Sequence, residues 1–120
     1  MTPTFEALPI AFADDERRPL AQPSAEPLTG EIMTAARILT EELDGRIVTG
    51  TWECQPGMSR WEFTERGEFI HVLAGRMVVT EDGAHPVELV KGSTAVFPLG
   101  WKGTWDVTET LRKVFVVYRP

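Results

Sequence analysis

The chain predicts an all-β sandwich or barrel, and three observations carry that expectation. From residue 31 onward, short runs rich in β-branched and aromatic residues recur roughly every eight to twelve positions. The breaks between them carry turn chemistry: Asp44-Gly45, Pro56-Gly57, Arg66-Gly67, Glu81-Asp82-Gly83, Lys91-Gly92 and Leu99-Gly100. No stretch has a convincing helical period, and only residues 31–35 leave room for a short helix.

The runs expected as strands are Ala36–Glu42, Arg46–Cys54, Ser59–Thr64, Glu68–Ala74, Arg76–Glu81, Pro86–Val90, Thr94–Pro98, Thr104–Thr108 and Arg112–Arg119. Alternation gives each two faces. In the second run Val48, Trp52 and Cys54 share one face while Thr49, Thr51 and Glu53 share the other, the pattern of a half-buried strand. Residues 1–30 differ in kind: they hold five of the nine prolines and one of the ten glycines, with no strand or helix period. They are expected to form a Pro-rich arm, carrying Phe5, Leu8, Ile10 and Phe12 across the body or a partner subunit, with residues 31–120 forming a single barrel domain. The acidic tract Asp14-Asp15-Glu16 beside Arg17-Arg18 reads as solvated arm.

Composition narrows the function. At 120 residues the chain has room for one core and one pocket. A net charge of −6 and a pI near 4.9 argue against DNA, RNA or an anionic membrane as partner. The one cysteine, Cys54, excludes an internal disulfide and reads as a small core residue; with no leader-like or membrane-length apolar run, the expected location is the cytoplasm. Phosphate-binding glycine loops are absent, and neither histidine sits in the context of a catalytic triad. The unusual feature is the aromatic usage: four Trp against one Tyr, all four between positions 52 and 105.

The spacing Glu68-x6-Gly75, followed by Gly92-x5-Pro98-x-Gly100, resembles the two motifs of the cupin superfamily, the RmlC-like jelly-roll barrels also called double-stranded β-helices. The match covers most of residues 46–119. Gly57 opens the first motif; Gly75 and Gly92 permit positive φ between strands, and Pro98 ends a strand where no ladder N–H is needed. The finer text is Gly50-Thr51-Trp52-Glu53-Cys54, Arg60-Trp61-Glu62-Phe63, Phe97 to Trp105, and Arg112-Lys113. It is similar to the (S)-ureidoglycine aminohydrolase-type and EutQ-like single cupin domains. That resemblance implies a barrel with a small-molecule pocket at its mouth and a homodimer as the usual assembly.

Metal-binding cupins hold a cation with three His and one Glu. Here Glu68 stands at the Glu position, but counting back places Trp61 and Phe63 at the His-x-His pair, and the second-motif His falls on Gly103. An alternative register puts Glu62 and Thr64 there, which leaves Glu62 with Glu68 as a sparse metal pair. His71 falls on the strand face opposite Glu68, and His85 lies in a turn. The expectation is therefore no cofactor and no tight metal site.

Aromatic surface takes the metal's place. Trp61, Phe63, Trp101 and Trp105 are expected to line a pocket for a small organic, possibly nitrogenous, ligand, with Glu68 as anionic anchor or as acid–base. An ion pair of Glu68 with Arg60, Arg112 or Lys102 is the competing arrangement. The leading function is metal-independent small-molecule binding. The alternatives are an enzyme of ureide or amine nitrogen metabolism using Glu68, and a non-catalytic dimeric assembly module. Ureidoglycine aminohydrolase activity itself is disfavoured, because the resemblance implies a manganese-dependent chain of two cupins.

Overall fold

A computed structural model describes residues 2–4 and 16–120. The described residues form nine strands: β1 (Arg18–Pro19), β2 (Ala25–Pro27), β3 (Met33–Glu42), β4 (Ile47–Cys54), β5 (Gly57–Glu62), β6 (Gly67–Glu81), β7 (Val87–Val90), β8 (Thr94–Phe97) and β9 (Lys102–Tyr118). All pairings are antiparallel. The described residues contain no helix, and residues 31–35 run into β3 instead of forming one. Among the described residues no helix is long and apolar enough to cross a membrane.

Two long strands organise the barrel. β6 and β9 pair along nearly their whole lengths, from Gly67↔Tyr118 to Glu81↔Gly103, with register shifts between Val72 and Met77. Past that break each strand enters a second sheet. On one side of it lie β1, β3, β4, the C-terminal half of β9, the N-terminal half of β6, and β8. On the other lie β2, β5, the N-terminal half of β9, the C-terminal half of β6, and β7. The expected runs divide each long strand in two, at Gly75 and over residues 109–111; in the structure β6 and β9 are continuous through both places. Gly75 is required there, since its φ is +88° and an added Cβ would collide with the backbone of Thr110.

The core fills the space between the two sheets. Ile70 and Val72 from β6, Met77 and Val79 from its other half, Leu111 from β9 and Phe97 from β8 are all buried. β9 alternates faithfully, sending Gly103, Trp105 and Val107 inward from one half and Leu111, Lys113, Phe115 and Val117 from the other. One position in that inward row is a lysine.

The 18–27 segment adds detail to one expectation, and β4 corrects another. Residues 18–27, read as arm without strand period, contribute β1 and β2, whose two- and three-residue pairings are too short to leave a period. Leu20 and Ala25 are buried in the core, so this segment lies against the barrel. Phe5, Leu8, Ile10, Phe12, Asp14 and Asp15 lie outside the described residues. Strand β4 is not half-buried. Thr51 and Glu53, on the supposedly open face, are 0% and 3% exposed, and the Glu53 carboxylate sits between Arg17 (2.6 Å) and Arg112 (3.0 Å).

Candidate functional site

Trp61 and Phe63 project inward at the end of β5 and just beyond it. They are held there because Phe63 donates its backbone N–H to Trp101 O and accepts from Gly100 N–H (2.9 and 2.7 Å). Trp61 stacks on Trp105 with centroids 3.9 Å apart, and Phe63 stacks on both Trp61 and Phe97 at 5.8 and 5.5 Å. Trp52 meets Trp61 and Trp105 edge-on, and Trp101 does the same to Phe63 and Phe97. All four Trp and two Phe thus make one aromatic block, with each ring pair contributing about 0.5–1.5 kcal/mol beyond its burial. The Trp61 indole N–H donates to Ser59 Oγ at 2.8 Å.

Glu68 enters from β6 and is buried. Its partner is none of the three cations considered from sequence. Arg60 pairs with Asp82 and Glu62 on the outer surface, Arg112 pairs with Glu53, and Lys102 is exposed. Instead Lys113 Nζ donates to Glu68 Oε2 at 2.7 Å, with the two side chains 2% and 5% exposed. The same ammonium lies 4.5 Å above the ring of Trp52 and 4.6 Å above that of Trp105. Register explains the contact, since Lys113 stands directly opposite Trp52 in the β4–β9 ladder. Burial pulls the Lys113 ammonium below the usual lysine range, while the Glu68 charge and hydrogen bond oppose that pull.

The metal question turns on this pair. In this barrel the buried carboxylate at the family's Glu position already holds a cation, supplied by the chain itself. Trp61 and Phe63 are packed where a His pair would stand. A side chain at Gly103 would strike the Thr80 backbone and come within 2.7 Å of the Trp101 ring. Glu62, the extra ligand of the alternative register, points outward to Arg60 and cannot join Glu68. Among the described residues no three His, Cys, Asp or Glu side chains cluster. These residues do not fit a cupin metal centre.

Beside the Glu68–Lys113 pair opens a cavity of about 390 Å³. Trp52, Trp61, Phe115 and Val117 line it together with Glu68, Lys113 and Arg66, and residues 18–24, Thr34 and Ala36 complete the lining. Of the five residues expected to line the pocket, Trp61 and Glu68 do so. Phe63, Trp101 and Trp105 stand behind that surface in the aromatic block, packed against Trp61, Phe97 and one another. The sequence reading missed Trp52, Lys113, Arg66 and the 18–24 segment as lining. Lys113 was legible in principle, since Leu111, Phe115 and Val117 fix its phase as inward.

Arg66, in the turn before β6, is half-buried, and its guanidinium makes no hydrogen bond or ion pair among the described residues. It lies 5.8 Å from the Phe63 ring centre. Burial lowers its pKa from the ordinary arginine value, and the Glu68 charge partly offsets this. Cys54 is buried, its thiol pushed up to about 12 chiefly by desolvation, which makes it an inert core residue.

The cupin domain of Schizosaccharomyces pombe Cnp3 superposes on this architecture with a TM-score of 0.63 at 15% identity, over 72% of this chain and 65% of that one. EutQ of Clostridium difficile superposes with a TM-score of 0.63 at 22% identity, over 73% of this chain and 69% of that one. A putative ethanolamine utilization protein Q from Salmonella typhimurium gives 0.62 at 16% identity, over 87% and 98%. A Pseudomonas syringae protein of unknown function gives 0.72 at 19% identity, over 85% of this chain and 44% of its own longer chain. These likenesses establish the cupin fold. The sequence model of the EutQ-like cupin domain matches residues 41–115, and the chain belongs to that family. No functionally curated protein matches it in sequence.

Proposed function

We propose that this protein binds a small organic carboxylate with an apolar body in the cavity beside Glu68 and Lys113. One observation carries the reading: Arg66 lines the cavity with no hydrogen bond or ion pair among the described residues, while Glu68, the one carboxylate among the described lining residues, is already held by Lys113. An ammonium ligand would have to displace Lys113 from Glu68 and from two indoles. A carboxylate can accept from Arg66 and lay its body on Trp52 and Trp61. The anchor is thus a cation, the reverse of the anionic anchor expected from sequence. Acidic though the chain is, Arg66, Lys113 and Arg18 make this cavity locally basic, with Arg18 turned to Glu16 at 3.3 Å.

A panel of matched ligands tests this. Benzoate should raise the melting temperature saturably, by several degrees at a hundredfold excess over Kd, while benzylamine should not. The shift should vanish in Arg66→Met. A larger shift with benzylamine, or an undiminished one in Arg66→Met, would overturn the reading.

The ureide- or amine-processing alternative, with Glu68 as free acid–base, is weakened by the Lys113 contact. The finer kinship to ureidoglycine aminohydrolase-type domains rests on the motif text alone. A homodimer remains part of the proposal: Val96 and Phe69, adjacent in the β8–β6 ladder, are 54% and 40% exposed on the outer face, and light scattering reads the assembly directly.

A further inference from the structure

The fold does not need a charge at position 113. Its inward neighbours on β9 are Leu111, Phe115 and Val117, and an apolar residue there would continue the row. A buried ion pair contributes little or nothing to stability compared with well-packed apolar side chains, so its presence asks for another reason. Lys113 is also the one lysine of three that is buried; Lys91 and Lys102 are exposed. Lys113 lines the 390 Å³ cavity, and its amine is held by Glu68 and by the faces of Trp52 and Trp105. Arg66, whose guanidinium makes no hydrogen bond or ion pair among the described residues, lines the same cavity and also acts electrostatically on Lys113.

We propose that Lys113 is a carbonyl-condensing amine, forming an imine with the carbonyl carbon of a small 2-oxo acid whose carboxylate is held by Arg66. This deepens the carboxylate-binding reading and rests on it. The Lys113 ammonium first passes a proton to Glu68 across their 2.7 Å hydrogen bond. The freed lone pair then forms the C–N bond, and the carbonyl π electrons move to oxygen, which takes the proton from Glu68 and leaves it a carboxylate. Nitrogen returns its surplus proton to Glu68. Glu68 next protonates the carbinolamine hydroxyl, the C–O bond breaks, and water leaves as the nitrogen lone pair completes C=N. One ammonium and one carbonyl become one iminium and one water, with no change of oxidation state. Desolvation favours the neutral amine that the first step requires.

Reductive trapping tests the inference. The full chain is incubated with pyruvate and cyanoborohydride, and the adduct is located by peptide mass mapping. Lys91 and Lys102 serve as internal references. The expected result is a single adduct on Lys113, forming at least about tenfold faster than on either exposed lysine. It should slow by a similar factor in Arg66→Met and be absent in Lys113→Met, whose circular dichroism should match the parent. A saturable pyruvate-induced rise in melting temperature with no adduct, or with label spread evenly over the three lysines, would overturn the imine and leave carboxylate binding standing. Neither shift nor adduct would overturn both. Labelling of Lys113 at an unchanged rate in Arg66→Met would overturn the guanidinium as the carboxylate's holder.

Discussion

At position 113 a lysine occupies a place in β9 whose inward neighbours are apolar, and its ammonium meets one carboxylate and two indole faces. Each partner makes the other tolerable, so removing one should cost more than removing both. Glu68→Leu leaves an uncompensated buried ammonium and should lower stability by about 3–5 kcal/mol, whereas the double change Glu68→Leu/Lys113→Met should recover most of that loss. Chemical denaturation of the four proteins in the cycle reads this directly, and additive losses would contradict the pairing. Glu68 was legible in the sequence because the motif spacing marks it. Its partner was not, because a lysine near a strand end is ordinarily read as a solvent-facing charge, and only the phase of Leu111, Phe115 and Val117 says otherwise. Cys54 gives a pH signature at the same scale. Its folded pKa of about 12 exceeds the unfolded value of 9.0, so above pH 9 unfolding releases a proton, and stability falls by about 1.4 kcal/mol per pH unit until the folded pKa is reached. Lys113, with its folded pKa lowered, works in the opposite direction as pH rises toward 10.5. The difference between wild type and Cys54→Ala isolates the thiol, whose charged neighbours are Lys113 and Glu53. Parallel stability curves for the two proteins between pH 9 and 11 would contradict the burial of the thiol.

Among the elements, β6 and β9 decide the architecture, because each passes through both sheets and bends where their shared register slips. The bend in β6 depends on Gly75. Alanine there would meet the Thr110 backbone and adopt a φ of +88° that a Cβ disfavours, so Gly75→Ala should cost about 3 kcal/mol or more and lower the melting temperature accordingly. An unchanged melting temperature would mean that the bend is not set there. Most strands were legible from alternation and turn residues. The sequence marks Gly75 as a positive-φ position between two strands, since alternation alone does not distinguish a bend from an end. The 18–27 segment hid its role more completely: prolines mask its two short pairings, although it links edge strands of the two sheets and forms one side of the cavity.

For the molecule as a whole, acidity and site have opposite signs. A net charge of −6 describes the surface, while the cavity gathers Arg66 and Lys113 around a single, already satisfied carboxylate. The class of fold followed from spacing and glycine placement, which local backbone geometry enforces. The cavity's character did not, because it depends on which of six aromatic rings pack behind the surface and which remain on it, and stacking partners are set only by the closed barrel. The central claim is that this cavity takes a carboxylate at Arg66 with its body on Trp52 and Trp61. A crystal soaked in 4-bromobenzoate tests it in one measurement. The account predicts an anomalous bromine peak inside the cavity, with the ring against the two indoles and the carboxylate at the Arg66 guanidinium. A cavity without the peak at saturating ligand, or a carboxylate turned away from Arg66, would contradict it.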